Sequence, residues 1–441
     1  MRGMFNGDRI ADLLIGAFGD DPNGANSGAS YVVFGRNTAQ TGPFPPSLNL
    51  SGLDGTNGFR LDGIVGADRA GFAVSSAGDV DGDGLADLLI GAYRADPNGV
   101  NSGSSYVVFG RDTAQTGPFP ASVNLADLDG TNGFLLDGAA SDRSGIAVSS
   151  AGDVNGDRIG DLIIGAYGAR PNGIYSGASY VVFGRNTAQT GPFPASLNLS
   201  SLDGTNGFLL AGVAAIDYSG FAVNSAGDVN GDELGDLLIG APQADFNGSS
   251  SGASYVVFGR NTAQTGPFPA SFNLSSLDGT NGFRLAGVAF ADYSGFAVSS
   301  AGDVNGDRLG DLLIGAYRAD PNGDRSGASY VVFGRNTAQT GPFPPSFNLS
   351  SLDGTNGFRL AGVAAGDFSG RAVSSAGDVN ADGLADLLIG APEANPNGNA
   401  SGASYVVFGR NTAQTGPFPP SLNLSSLDGT NGFSPGRRRG R

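Results

Sequence analysis

The sequence has no cysteine, no histidine, no tryptophan and no lysine, and glutamate occurs only at Glu233 and Glu393. These absences exclude a disulfide framework, a thiolate or imidazole zinc site, and any nucleophilic engine of the Ser-His-Asp or Cys-His kind. Acid–base chemistry would have to come from aspartate. Zero cysteine does not report the redox compartment, since both compartments permit it. Positive charge is also scarce: 24 basic against 41 acidic residues leave a formal net charge of −17. No basic face for nucleic acid can be assembled from so few, scattered arginines. The basic cluster Arg437, Arg438, Arg439 and Arg441 reads as a short solvated tail. No apolar run reaches the roughly 18 residues that span a bilayer. The opening MRGMFNGDRIADLL does not read as a signal peptide, because it lacks a long apolar core and carries acids early.

What is abundant is glycine, 75 residues, set among apolar runs in a chain that is 40% hydrophobic. That mixture fits many short strands joined by tight turns. Self-similarity decides the architecture. SYVVFGR begins at Ser30, Ser105, Ser179, Ser254, Ser329 and Ser404, and LDGTNGF recurs in step from Leu53 to Leu427. The period is about 75 residues, with repeats at roughly 1–70, 71–144, 145–219, 220–294, 295–369 and 370–433, and a tail at 434–441.

One repeat predicts four strands: 71–78, 87–92, 105–110 and 132–138. The second and third, DLLIGA and SYVVFG, are continuous apolar runs, as expected when both faces are covered. No segment shows sustained helical periodicity. A four-stranded antiparallel sheet cannot bury both faces alone, so stacked sheets of this kind predict an all-β fold, a β-propeller of six blades over residues 1–433. A linear solenoid is the rival, but its repeats are usually shorter, with fewer strands. The small residues of GFAVSSAG suit the innermost strand. The first blade is expected to lack that strand, because the chain opens inside the loop that follows it.

That loop carries the chemistry. In the second repeat Asp79, Asp81, Asp83, Leu85 and Asp87 stand at loop positions 1, 3, 5, 7 and 9. The third repeat has Asp153, Asn155, Asp157, Ile159 and Asp161; the fourth has Asp228, Asn230, Asp232, Leu234 and Asp236. The fifth and sixth have Asp303, Asn305, Asp307, Leu309, Asp311 and Asp378, Asn380, Asp382, Leu384, Asp386. Side-chain oxygens at 1, 3, 5 and 9, the backbone carbonyl at 7 and a water supply the six to eight oxygens of Ca²⁺. Without a cation, such crowded carboxylates repel, and some would protonate. An EF-hand fails on spacing, since position 12 is Ile90 rather than a bidentate Glu. Mg²⁺ fits less well because it keeps octahedral geometry and waters. A solvated Asp/Asn/Gly turn accounts for one copy more easily than for five in register. A sixth, degenerate loop has Met4 at position 1 and retains Asn6, Asp8 and Asp12.

The run SGFAVSSAGDVNGDELGDLLIGAP (219–242) and its counterparts resemble the FG-GAP repeats of integrin α-subunit propellers and bacterial surface proteins; the literal Gly-Ala-Pro stands at 240–242 and 390–392. The resemblance covers roughly residues 4–433. It implies calcium in the loop between the first two strands of a blade, a role in adhesion or extracellular recognition, and commonly seven blades, of which six are visible. Family loops favour Gly at position 6, whereas Arg158, Glu233 and Arg308 stand there in three repeats. A non-Gly residue in a left-handed conformation costs on the order of 1 kcal/mol. The loops with Gly84 and Gly383 are therefore expected to bind calcium more tightly.

Strand alternation puts the acidic loops and the repeated RNTAQTGPFP segments on one face. The loops after DLLIGA and after the fourth strand lie on the other, and these vary between repeats. Drift after duplication accounts for that variation, and so does a binding surface for a protein or glycan ligand, with Tyr175, Phe246, Tyr218 and Arg325 as candidate contacts. The Pro-Phe-Pro segment reads as a packing anchor. Asn-Leu-Ser at Asn49, Asn198, Asn273, Asn348 and Asn423 could accept glycans. The expected function is a non-catalytic, calcium-stabilised module outside or on the surface of the cell, where calcium near millimolar suits modest sites. A lectin-like propeller and an accessory domain of a larger enzyme, such as a phospholipase, are the alternatives.

Overall fold

The computed structural model describes residues 4–434. It is an all-β fold of six propeller-type blades, with helix limited to single turns. In the second repeat the strands are Ala73–Gly78, Asp87–Ala92, Ser104–Val108 and Gly133–Asp137. They pair antiparallel in sequence order, with Leu89 opposite Val107 and Val107 opposite Phe134. The predicted strands are all present, trimmed where the backbone finds other partners. Gly71 already bonds across to Gly91 O, and the Gly110 N–H is taken by a side chain, Asp87.

Alternation within DLLIGA explains why the run is apolar throughout. Leu88, Ile90 and Ala92 enter one core with Val32, Phe59 and Leu61 of the preceding repeat. Leu89 points the other way, into a core with Leu162, Ile164 and Tyr180 of the following one. Every residue of this strand is buried, and each large apolar side chain so placed contributes about 1.5–3 kcal/mol. The inner strand must be small. A Cβ on Gly78 would lie 3.2 Å from Ser150 Oγ of the next inner strand.

One element was not legible in the sequence. An edge strand lent by the next repeat joins five of the sheets, as the fifth strand in four of them and the fourth in the first, and it pairs in parallel. Ser122–Asn124 pairs with Gly58–Asp62 of the preceding repeat, Ser196–Asn198 with Gly133–Asp137, Ser346–Asn348 with Gly282–Ala286, and Ser421–Asn423 with Gly357–Ala361. The blade of four antiparallel strands thereby gains an edge strand lent by the next repeat. The rest of the long segment folds locally. Thr113–Thr116 is one helical turn capped by Asp112, whose Oδ1 accepts from Ala114 N at 2.9 Å. Phe119 then stacks on Phe59 of the preceding repeat at 4.3 Å between centroids, with the Arg111 guanidinium 4.2 Å from its ring. Pro-Phe-Pro is thus a packing anchor.

Two sheets differ. The first, Leu13–Ala17, Ala29–Val33 and Gly58–Asp62 with Ser122–Asn124, has no inner strand among the described residues. The sixth, Ala372–Gly377, Asp386–Ala391, Ala403–Val407 and Gly432–Phe433, has no parallel edge strand among the described residues. The chain forms two compact units, Met1–Pro171 with Gly177–Leu210 and Thr262–Phe272, and Asn172–Ser176 with Ala211–Asn261 and Asn273–Arg441. Apart from Ser434, the predicted basic tail lies outside the described residues. No helix among those residues is long and apolar enough to cross a membrane.

Candidate metal-binding loops

Each acidic loop is organised by its first and ninth residues. Asp87 opens the second strand, fully buried; its Oδ2 accepts from Val80 N at 2.8 Å and its Oδ1 from Gly110 N at 2.9 Å. Asp161, Asp236, Asp311 and Asp386 repeat both bonds, and Asp12 does the same with Phe5 and Gly35. The ninth acid therefore ties the loop to the end of the third strand. Burial pushes the Asp87, Asp161, Asp236 and Asp311 carboxyls well above the usual carboxylate range, against the lowering effect of those two N–H donors. At position 1, Asp79 Oδ1 accepts from Gly82 N and Asp83 N, and Oδ2 from Gly84 N. Asp153 folds its loop the same way around Gly156, Asp157 and Arg158.

Positions 3 and 5 distinguish the loops. In the second repeat the third residue is Asp81, and one oxygen each from Asp79, Asp81 and Asp87 lies within 4.8 Å of the others. Two oxygens at about 2.4 Å from a common Ca²⁺ can be at most about 4.8 Å apart, so this hard, all-oxygen triad fits one such ion. Burial raises Asp81 to about 6, with the neighbouring Asp83 charge as the next cause. Asp83 lies outside the triad and is raised by burial, against a bond from Leu85 N. In the other loops the third residue is Asn, and its amide donates to the fifth-position carboxylate: Asn155 to Asp157 at 3.1 Å, Asn230 to Asp232, Asn305 to Asp307 and Asn380 to Asp382. Asn6 and Asp8 do likewise in the degenerate loop. No triad of acids forms in these loops among the described residues. Of the five predicted sets, the structure thus gathers three acids in one and an Asn-buffered arrangement in four.

The sixth position is left-handed in every loop: Arg158 (φ 71°), Glu233 (69°) and Arg308 (72°) as well as Gly84 (89°) and Gly383 (86°). The expected strain is real. It is not confined to those three loops, because Ala381 at position 4 of the 378–386 loop also sits at φ 62°, where its counterparts are Gly. The sequence pattern hid the reason for Gly at position 4. Gly82 lies under the next repeat, where a Cβ would stand 3.0 Å from Asn186 Cα, and Gly231 is placed likewise against Asn336. Beside it the Val80 carbonyl accepts from Arg185 N at 2.9 Å, and the Asp81 carbonyl accepts from Thr187 N at 2.9 Å and its hydroxyl at 3.2 Å. The same bonds join Val229 and Asn230 to Arg335 and Thr337, and Val304 and Asn305 to Arg410 and Thr412. The near-verbatim RNTAQT was the available signal.

On the opposite face, Tyr175 and Tyr218 meet edge-on at 5.5 Å. Phe246 is covered by the Arg284 guanidinium at 3.7 Å, and Arg325 is half exposed beside Asp324. A larger cluster went unforeseen because separate segments of neighbouring repeats supply it. Phe296 packs on Tyr317 at 4.5 Å, Arg371 lies 5.5 Å from the first ring and 5.4 Å from the second, and Arg318 lies 4.7 Å from the Tyr293 ring. Phe72, Tyr93, Phe18 and Arg69 form its counterpart in the other unit.

Comparison with known proteins agrees with this reading of the repeats. The FG-GAP repeat family matches residues 70–108, 221–257, 294–332 and 369–407. Integrin alpha-PS2 of Drosophila melanogaster is 30% identical over 249 residues, covering 55% of this chain and 15% of the relative. Phosphatidylinositol-glycan-specific phospholipase D of Bos taurus is 33% identical over 187 residues, 42% of this chain and 20% of the relative. The Homo sapiens phospholipase D of the same name is 28% identical over 261 residues, with shares of 56% and 28%. The chain thus spans between 15% and 28% of the length of these relatives.

Proposed function

Because this chain is an FG-GAP repeat protein of the integrin alpha-like type, we propose that it is a non-catalytic, calcium-binding recognition module acting outside or at the surface of the cell. The observation that carries the reading is the Asp79, Asp81 and Asp87 triad, whose oxygens lie at the spacing one large hard cation takes. Calcium would bind there first and in the four Asn-bearing loops more weakly. Five ions would bring the formal charge from −17 to −7. Metal that binds the folded loops and not the unfolded chain stabilises by about 2.7 kcal/mol per site at a hundredfold excess over Kd. Thermal unfolding in chelator should therefore fall well below unfolding in millimolar calcium and recover on adding it back. An identical melt in both conditions overturns the proposal.

The ligand, a protein or a glycan, would meet the face opposite the calcium loops, where exposed aromatics and arginines gather. A glycan array separates the two ligand classes. The phospholipase D relatives favour a second reading, an accessory domain of a larger enzyme. The full reading frame decides between them, since the second reading expects a catalytic domain on the same chain and the first does not. With neither His nor Lys in the chain, proton transfer would fall to Asp, and the grouped Asp side chains are the proposed metal ligands.

A further inference from the structure

On the face opposite the acidic loops, the second repeat brings two cations to one oxygen. Arg69, in the turn that leads into the inner strand, donates from Nη1 to the Tyr93 hydroxyl at 3.4 Å, and Arg94 donates from Nε to the same oxygen at 3.1 Å. A phenolic oxygen that already accepts twice can only donate further, through its own O–H. Two guanidinium groups and a hydroxyl therefore converge with donors to spare. The adjacent acids do not answer that charge. Asp68 is buried beside Asp96, Asp96 accepts from Asn101 N, and neither arginine forms an ion pair among the described residues. With 41 acidic residues in the chain against 24 basic, a pair of arginines meeting without a carboxylate calls for an acceptor from outside. Water can supply oxygen there; an oxyanion supplies oxygen and charge together.

The repeat pattern alone does not dictate this arrangement. GAYRADPNG occurs at 91–99 and again, unchanged, at 315–323. In the later copy Tyr293 stands at the position of Arg69, and the Arg318 guanidinium lies 4.7 Å from that ring. Arginine in place of tyrosine at this one position gives the second repeat its converging pair. Beside the pair, the Phe72 ring packs on Tyr93 at 4.6 Å and is 39% exposed. The position keeps part of its ring open between two neighbouring repeats as well: Phe296, with Phe221 at 5.0 Å and Arg371 at 5.5 Å, is also only half-buried.

We propose that Arg69, Arg94 and Tyr93 bind the carboxylate of an acidic sugar whose ring lies against Phe72, an inference that rests on the proposed recognition role of this face. Guanidinium groups match a carboxylate in plane and in pairs of N–H donors. A uronic acid carries its carboxylate directly on a rigid ring with an apolar C–H face, so a single sugar reaches both the cations and the aromatic. An acidic peptide holds its carboxylates on flexible stems and offers Phe72 no such face; it is the competing outcome of the test.

The test titrates the full chain by calorimetry, in millimolar calcium, with a galacturonic acid trimer, the same trimer as its methyl ester, and a glutamate tripeptide. The acid trimer should bind, and the neutral ester should bind at least about tenfold more weakly. Arg94→Gln, at an exposed side chain, should lower affinity for the acid trimer about tenfold, the loss of one charge-assisted contact. Arg69→Asn should do the same, with a residue that tolerates the left-handed backbone at this position (φ 59°). Arg94→Lys should keep part of the affinity, since it retains the charge but not the planar fork. Equal binding of ester and acid, undiminished binding in both charge-removing variants, or tighter binding of the peptide than of the sugar overturns the proposal. The calcium-dependent melt does not involve these arginines. An intact calcium response without uronate binding therefore removes this inference alone and leaves the metal-binding reading standing.

Discussion

The loop at 79–87 and the loop at 153–161 share one backbone course and five of their nine residues, yet they meet the same electrostatic problem differently. Each folds around its first acid, buries its ninth, and turns left-handed at its sixth residue. The divergence that decides the balance among the acids lies at the third position. Where Asn155 turns an amide N–H toward Asp157, Asp81 places an oxygen beside Asp83. An amide and a carboxylate have almost the same shape, so the fold tolerates both. The amide lets the loop stand with its own donors, while the carboxylate leaves a deficit of positive charge, which on the proposed reading a cation fills. The loops are therefore expected to be graded in their need for metal rather than equivalent copies.

The comparison breaks most visibly at the shared buried acid. Asp87→Ala should cost about 3–5 kcal/mol in urea unfolding with chelator present, since it strands the Val80 and Gly110 N–H groups. Asp161→Ala should cost as much, and Asp83→Ala less than about 1 kcal/mol. Equal losses at Asp87 and Asp83 would mean that the ninth acid is only a ligand. The next effect concerns the distinguishing atom. Asp81→Asn should weaken calcium binding at that loop at least tenfold by calorimetry, while metal-free stability rises by about 1 kcal/mol. Asn230→Asp should do the reverse in its own loop. If neither exchange moves affinity, the grading is wrong.

A control comes from the other face. Burial raises Asp217 to about 6, with its carboxylate accepting from Ala214 N at 3.0 Å, yet no acidic triad surrounds it among the described residues. Its folded pKa lies above the unfolded value, so the native state holds the proton more tightly. Stability contributed by the protonated form is present below about pH 4 and is lost as pH rises through about 6. After allowance for solvent screening, Asp217→Asn should add roughly 1 kcal/mol at pH 7 and nothing below pH 4, with or without calcium. A calcium-dependent difference here would blur the contrast drawn above. The smallest effects belong to backbone strain. Arg158→Gly and Ala381→Gly should each gain about 0.5–1 kcal/mol, and Gly84→Ala should lose a similar amount in equilibrium melts.

Much of this was legible in the residues. The 75-residue period, the inward strand GFAVSSAG and the doubly covered DLLIGA follow from pattern alone, and the left-handed sixth position was readable from family preference. The parallel strand was not, because three residues such as Ser122–Asn124 are too few to show a period and pair with a different repeat. The role of Gly82 was equally hidden, since its crowding comes from Asn186, more than a hundred residues away. Spacing picked out the recurring loop positions, but it could not reveal that Asn and Asp at one of them would give two different arrangements.

The carbonyls of Val80 and Asp81, within the acidic loop, accept from Arg185 and Thr187 of the following repeat. An ion settling among the acids would therefore stiffen a joint as well as a turn. Pulled from its ends, such an array should yield one joint at a time, the force for each step set by the divalent ions in the surrounding fluid.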